Sequence, residues 1–222
     1  MNRRLDPKKR TEMIGQIPQV VILRLPSYYR VLALLEEENT EIVSSKELGA
    51  RLQMTPAQIR KDLSYFGKFG KQGKGYNVSQ LLGELRQILG LDREWSVALI
   101  GVGRLGRALL DYGELTPRGF KIVAAFDIDP QQIGKKVGGV AIQDVAELAN
   151  TVKNRGINIG IVTAPPSQAQ HAIDCLVECG IKAILNYAPV AAQVPKDVQL
   201  REIDPVLTLQ TMTYHLKSLG PS

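Results

Sequence analysis

Ser96-Val97-Ala98-Leu99-Ile100-Gly101-Val102-Gly103-Arg104-Leu105-Gly106 sets the architecture of this chain. Its first five residues are a short apolar run, suited to a strand buried on both faces of a parallel sheet. The run enters a G-x-G-x-x-G directly, and Arg107-Ala108-Leu109-Leu110 continues as helix. A lone glycine pattern is weak, but this one sits at the strand-to-helix junction that a dinucleotide needs. Gly101 permits the tight turn, Gly103 lets the backbone approach a pyrophosphate, and Gly106 lets helix and strand pack closely. The anion is expected at the helix start, where unpaired N–H groups point.

The next strand, Lys121 to Phe126, ends at Asp127, 21 residues beyond Gly106. A carboxylate at that spacing accepts hydrogen bonds from ribose hydroxyls and repels a 2′-phosphate, so NAD(H) is expected over NADP(H). Asp129 precedes Pro130 and reads instead as the cap of the following turn. Gly101, Val102, Gly103, Arg104, Leu105, Gly106 and Asp127 are therefore the candidate dinucleotide-binding residues. Further alternation predicts a helix over 143–154, a strand over 157–163, a helix over 167–179 and a strand over 181–186. A short strand over 198–203 and a helix over 205–218 follow. Two strand exits, Thr163-Ala164-Pro165-Pro166 and Asn186-Tyr187-Ala188-Pro189, face the side where α/β sheets bind ligands. Thr163, Asn186 and Pro189 are candidates for the nicotinamide side, and the same loops also read as turns held by proline. The last helix carries Leu207, Leu209, Met212, Tyr214 and Leu216, too much apolar surface for a free tail. It must dock on its own sheet or on a partner.

Upstream of residue 93 the pattern is different. Residues 1–15 form a basic arm with no apolar period. Residues 16–26 hold an apolar cluster closed by Pro26, consistent with a short helix. Ser27 then caps a helix reaching Glu38, with Tyr28, Val31, Leu32 and Leu35 on one face. Ser44-Ser45-Lys46-Glu47 is a capping box opening a helix to about Leu52. Thr55-Pro56-Ala57-Gln58 is a second, with proline at the first helical position. Two capped helices a few residues apart make a helix-turn-helix. The second exposes Gln58, Arg60, Lys61 and Ser64 opposite Ile59 and Leu63. Arginine and lysine suit guanine edges or phosphates, and glutamine suits adenine.

Gly67-Lys68-Phe69-Gly70-Lys71-Gln72-Gly73-Lys74-Gly75-Tyr76 follows, with glycines for reversal and lysines at the tip. This reads as a hairpin, hence a basic wing suited to phosphates or the minor groove. Ser45, Thr55, Gln58, Arg60, Lys61, Ser64, Lys68, Lys71 and Lys74 are the candidate DNA contacts. A helix from Ser79 to Leu89 closes this part. The expected division is an arm over 1–15, a winged-helix domain over 16–92, a Rossmann domain over 93–204 and a terminal helix over 205–222.

Composition narrows the function classes. The 222 residues are 44% hydrophobic and 23% charged, which excludes a disordered or fibrous chain. No run of about 18 apolar residues predicts a transmembrane helix, and the N-terminus lacks the apolar core of a signal peptide. Cys175 and Cys179 read as a reduced pair, so a cytoplasmic protein is expected. The net charge of +6 falls mainly on residues 1–92, with 15 Lys/Arg against 10 Asp/Glu, which points to an anionic partner there. His171 and His215 are the two histidines, and both read as bland. No metal-ligand cluster, Walker loop or Ser/His/Asp order appears. No catalytic residue and no metal are expected, and an enzyme is not.

Arg60-Lys61-Asp62-Leu63-Ser64-Tyr65-Phe66-Gly67, the wing to Gly75-Tyr76, Gly101 to Gly106, and Phe126-Asp127-Ile128-Asp129-Pro130 together resemble the Rex family of bacterial redox-sensing repressors. The resemblance covers about residues 17–218. It implies a homodimer with N-terminal winged helices, C-terminal Rossmann domains and a terminal helix exchanged between subunits. It also implies binding to double-stranded palindromic operator DNA and release by NADH, with NAD+ a weak competitor; both are sensed and not consumed. Arg30, Tyr112 and Asp204 match the family's inter-domain cluster, although Pro205 stands where many members have an aromatic residue. One other reading is an NAD-dependent oxidoreductase or CoA-binding-like protein with an appended basic domain. Another is a winged-helix protein whose Rossmann half only dimerises.

Overall fold

The computed structural model describes residues 17–71 and 74–218. The basic arm expected over 1–15 lies outside the described residues. The chain divides into two compact units, Met1–Asp92 and Arg93–Ser222.

In the first unit, helix α1 spans Gln19–Glu37 as one element, with Pro26 inside it. The sequence expectation of two helices, the second capped by Ser27, is corrected. Val21, Leu25, Tyr28, Val31, Leu32 and Leu35 form one buried stripe that runs past Pro26 on both sides. A proline in a helix interior costs about 3 kcal/mol, through a missing hydrogen bond and a clash with the carbonyl four residues back. Each large side chain fully buried in the stripe returns roughly 1.5–3 kcal/mol, so the stripe outweighs the proline. Pro26 itself faces solvent.

Strand β1 (Ile42–Val43) leads to helix α2 (Ser45–Leu52). Its capping box is complete: Ser44 Oγ accepts the Glu47 N–H at 3.1 Å, and Glu47 Oε2 accepts the Ser44 N–H at 2.7 Å. Gln53, in the left-handed region at φ 54°, ends α2 and allows the turn into α3 (Pro56–Ser64). Thr55 Oγ1 caps α3 by accepting the Gln58 N–H at 3.2 Å. The wing is β2 (Gly70–Lys71) and β3 (Gly75–Asn77), antiparallel, with β1 on the other edge of β3. Helix α4 (Val78–Ile88), capped by Asn77, packs on α1 and closes a core that includes Leu25, Leu32, Leu48, Ile59, Leu63, Leu81 and Leu85.

The second unit is built on seven strands: β4 (Trp95–Ile100), β5 (Phe120–Asp127), β6 (Lys136–Val137), β7 (Val140–Asp144), β8 (Ile159–Val162), β9 (Ala183–Asn186) and β10 (Gln199–Glu202). Their order is β10-β9-β8-β4-β5-β7-β6, all parallel except the β6–β7 hairpin. The six parallel strands form the doubly wound Rossmann order, with β4 first, and the order reverses between β4 and β8. Helices α5 (Arg104–Leu110), α6 (Leu148–Arg155) and α7 (Pro166–Glu178) flank it. The expected helix over 143–154 is corrected at its start, because 140–144 is the third strand of this order. Val137-Gly138-Gly139-Val140 is the missed signal: a Gly-Gly pair at φ 55° and 79° turns the β6–β7 hairpin. The last helix, α8 (Pro205–Ser218), exposes Val206, Leu207, Leu209, Met212, Tyr214 and Leu216.

Candidate functional sites

The first site is a groove of about 670 Å³ between the helix-turn-helix and the wing. Ser45, Arg60, Ser64, Lys68, Phe69 and Tyr76 are among the residues that line it. Arg60 Nη1 donates to Ser45 Oγ at 3.0 Å, so the start of α2 and the exposed face of α3 meet there. The Ser64 hydroxyl donates to the Lys61 carbonyl at 2.7 Å, which keeps it close to its own helix. Lys61, Lys68 and Lys74 are exposed. Lys71 lies on β2, in the wing. The Thr55 hydroxyl is engaged as the α3 cap.

Gln58 departs from the expectation of a freely exposed side chain. It is half-buried, and its Nε2 donates to Asp62 Oδ1 at 2.6 Å. Asp62 is fully buried, yet its carboxylate is saturated. Arg24 donates through Nε to Oδ2 and through Nη2 to Oδ1, each at 2.7 Å, and Tyr28 donates its hydroxyl to Oδ2 at 2.8 Å. Burial alone would raise the Asp62 pKa, but the hydrogen bonds from Arg24, Tyr28 and Gln58 hold it below the usual carboxylate value. Burial and the same carboxylate push the Tyr28 phenol upward. Sequence reading missed Asp62 as a functional candidate. The signal was its place on the stripe of Ile59, Leu63 and Phe66: an acid on a buried helix face needs a partner.

The second site lies where the strand order reverses. Gly101 sits at φ 96°, and a Cβ there would come within 2.7 Å of the Ala164 N in the β8 exit loop. A Cβ on Gly106 would overlap the Gly101 carbonyl oxygen. A Cβ on Gly103, by contrast, would meet nothing within 4 Å. The loop is thus tight on its sheet side and open on its solvent side, the cradle that close backbone approach to a pyrophosphate requires. Arg104 and Leu105 are exposed beside it. Val102 turns its side chain into the core with Leu99 and Leu110, and contributes its N–H instead. That N–H donates to Asp127 Oδ2 at 2.6 Å, while Oδ1 accepts the Asp129 N–H at 3.0 Å. Asp127 therefore stitches the end of β5 to the glycine loop. Asp129 Oδ1 accepts the Gln131 N–H at 2.8 Å, as expected of a turn cap. Ile128, which the sequence reading did not single out, projects an exposed apolar side chain beside Asp127.

The other strand-exit candidates fare differently. The Thr163 hydroxyl donates to the Gly101 carbonyl at 2.5 Å, so it braces the cradle. Asn186 is fully buried and turns its amide to its own loop, giving an Nδ2–H to the Ala188 carbonyl and accepting the Ala188 N–H, both at 2.9 Å. These two bonds shape the loop that leaves Pro189 exposed. Arg30 is exposed on α1, in the first unit, while Tyr112 is exposed just after α5 in the second. Asp204 accepts the Val206 N–H at 2.8 Å at the start of α8.

Cys175 and Cys179 both have thiol pKa values raised, chiefly by burial, which makes them poor nucleophiles. Among the described residues, no three His, Cys, Asp or Glu side chains gather to hold a metal, and no helix is long and apolar enough to cross a membrane.

Comparison with known proteins places both halves. Residues 16–64 match the family model "Putative DNA-binding protein N-terminus", and residues 92–190 match "CoA binding domain". The chain is 53% identical, over 90% of its length and 94% of the relative's, to a redox-sensing transcriptional repressor Rex of Chloroflexus aurantiacus. It is 43% identical, over 92% and 98%, to Rex 1 of Thermotoga maritima. Among solved structures it superimposes on RSP, a Rex-family repressor, in complex with β-NAD+ and operator DNA. The TM-score is 0.87 at 40% identity, over 91% of this chain and 93% of that one. RSP in complex with β-NADH gives a TM-score of 0.82 at 38% identity, over 91% and 95%.

Proposed function

The chain belongs to the Rex family of redox-sensing transcriptional repressors, and on that basis we propose how its own residues carry the function. The protein represses transcription by binding operator DNA and responds to NADH and NAD+. The observation that carries this reading is one chain holding both a basic winged helix and, at the switch point of its sheet, a glycine cradle open at Gly103.

On the DNA side, α3 enters the major groove. Arg60, held against Ser45, reads or clamps there, and Lys61, Lys68, Lys71 and Lys74 neutralise phosphates. On the nucleotide side, the backbone from Gly101 to Gly106 takes the pyrophosphate, Asp127 takes the adenosine ribose, and the exposed Ile128 side chain covers the adenine. Asp127 disfavours a ribose phosphate, which argues for NAD(H) over NADP(H) or coenzyme A despite the likeness to a CoA-binding domain.

The pyrophosphate and ribose contacts are common to NAD+ and NADH, so they cannot discriminate; a ligand shifts an equilibrium only by its differential affinity. Discrimination falls to the nicotinamide, cationic in one form and neutral in the other. A buried pocket disfavours the cationic form. Arg30, Tyr112 and Asp204 are assigned to the coupling. The protein acts as a homodimer in the cytoplasm, with α8 as the dimer contact, and it does not turn over the dinucleotide.

An operator gel shift titrated separately with NADH and NAD+ tests this. NADH is expected to release the DNA at far lower concentration than NAD+. Release by neither would leave a winged-helix protein whose Rossmann half only dimerises, and NADH consumption with a carbonyl substrate would point to an oxidoreductase.

A further inference from the structure

We propose that Asp62 is a positioning residue for base reading: it sets the orientation of the Gln58 amide, and so makes α3 prefer adenine over guanine at one position in each operator half-site. The inference rests on the reading of α3 as the recognition helix. Gln58 is the third residue of that helix, within the first turn, where a recognition helix reaches base edges. Its backbone is held by Thr55 Oγ1 and its side chain by Asp62 Oδ1.

A free glutamine amide can rotate by half a turn and offer either its oxygen or its NH2 to a base. Here one end faces a buried carboxylate that is an acceptor only. Turning the amide over would set Oε1 against Oδ1 of the fully buried Asp62, oxygen against oxygen. The flip is therefore shut out, and Gln58 keeps Oε1 and one N–H for the groove. Adenine matches that pair with its N6 donor and N7 acceptor. Guanine shows two acceptors, N7 and O6, and leaves Oε1 without a donor.

Asp62 can hold this orientation because it does not itself move. Arg24 grips both carboxylate oxygens, and Tyr28 takes a further lone pair. The two donors belong to α1, so base preference in α3 is imposed from a different helix.

The test starts from sites selected by the wild-type protein out of a randomised duplex pool, followed by affinity measurements on duplexes that differ only by A→G at each half-site position. Gln58→Ala should lose an A-over-G preference of roughly 5- to 150-fold at one position. Asp62→Asn should lose most of the same preference at the same position. In the Gln58→Ala background it should change nothing further there. Arg24→Gln, which removes one of the two α1 residues that hold Asp62 and leaves the Tyr28 hydroxyl on it, should lower the melting temperature and weaken the preference at that same position without abolishing it. The inference is overturned if Asp62→Asn keeps the full A-over-G preference, or if it weakens every duplex by one factor in both backgrounds, which is the mark of a merely structural residue. Failure of the wild-type protein to select any site would overturn the recognition-helix reading itself, and this inference with it.

Discussion

Arg24 on α1 and Asp62 on α3 form a two-pronged pair, Nε to Oδ2 and Nη2 to Oδ1, each 2.7 Å, across 38 residues of sequence. The carboxylate is fully buried and the guanidinium about one quarter exposed. Removing Asp62 takes the acceptor from the buried Tyr28 hydroxyl and from the partly exposed Arg24 guanidinium. Asp62→Ala should therefore destabilise the first unit by about 1–3 kcal/mol. Its carboxyl pKa is held below the unfolded value of about 3.9, so its contribution is complete above that value and is lost as the pH falls towards the folded one. Urea unfolding between pH 2 and 7 should show wild-type stability declining below about pH 4. Asp62→Asn should start lower and decline less; parallel curves would rule out Asp62 as the titrating group.

The cradle glycines should separate by mutation. Gly103 has ordinary backbone angles and open space, so Gly103→Val should leave thermal stability nearly unchanged while abolishing NADH binding by bulk. Gly106→Ala pushes a methyl into the Gly101 carbonyl and should cost about 1–3 kcal/mol. Calorimetry with and without NADH distinguishes them. Retained NADH release in Gly103→Val would show that the ligand does not approach that backbone.

The wing lysines should act through phosphate alone. Alanine at Lys68, Lys71 and Lys74 together should weaken binding to every duplex alike. The slope of log affinity against log salt should become shallower by about 0.9 for each phosphate no longer neutralised. An unchanged slope would remove the wing from the interface. Arg60→Ala, by contrast, should relax sequence preference if the guanidinium reads a base, at a cost of about 1–3 kcal/mol on the preferred site.

Helix α8 exposes Leu209 and Met212 at more than half their surface each. Exposed apolar surface on this scale marks an interaction face. Leu209→Asp with Met212→Asp should convert a dimer into monomers in sedimentation, with the circular dichroism of the sheet retained, and should sharply weaken binding to a palindrome. A dimer that persists would place the subunit interface elsewhere.

Linkage gives a test that needs no mutation. If NADH lowers operator affinity by some factor, operator must lower NADH affinity by the same factor. NADH titrations with and without saturating operator should show it; equal affinities would sink the coupling.

Features with local causes are legible in the order of residues alone. Gly101 and Gly106 sit where a strand turns into a helix, and a side chain at either would collide with backbone of the same tight turn or the adjoining strand exit. Ser44 with Glu47 forms the full expected box and Thr55 accepts the Gln58 N–H, so both caps can be read directly, but the second box is only half formed because the Gln58 side chain goes to Asp62. The glycine-lysine wing is equally local. Other features depend on packing between distant segments. Pro26 breaks a helix by its own chemistry, and only the stripe packed against α4 and the helix-turn-helix keeps α1 whole. Asn186 reads as a free polar group at a strand end until burial turns its amide onto Ala188. Gln58 reads as an exposed DNA-facing residue until folding brings Arg24 and Tyr28 to Asp62 and Asp62 to Gln58. A buried carboxylate takes whichever donors the packed core delivers, and their separation along the chain leaves no local pattern to read.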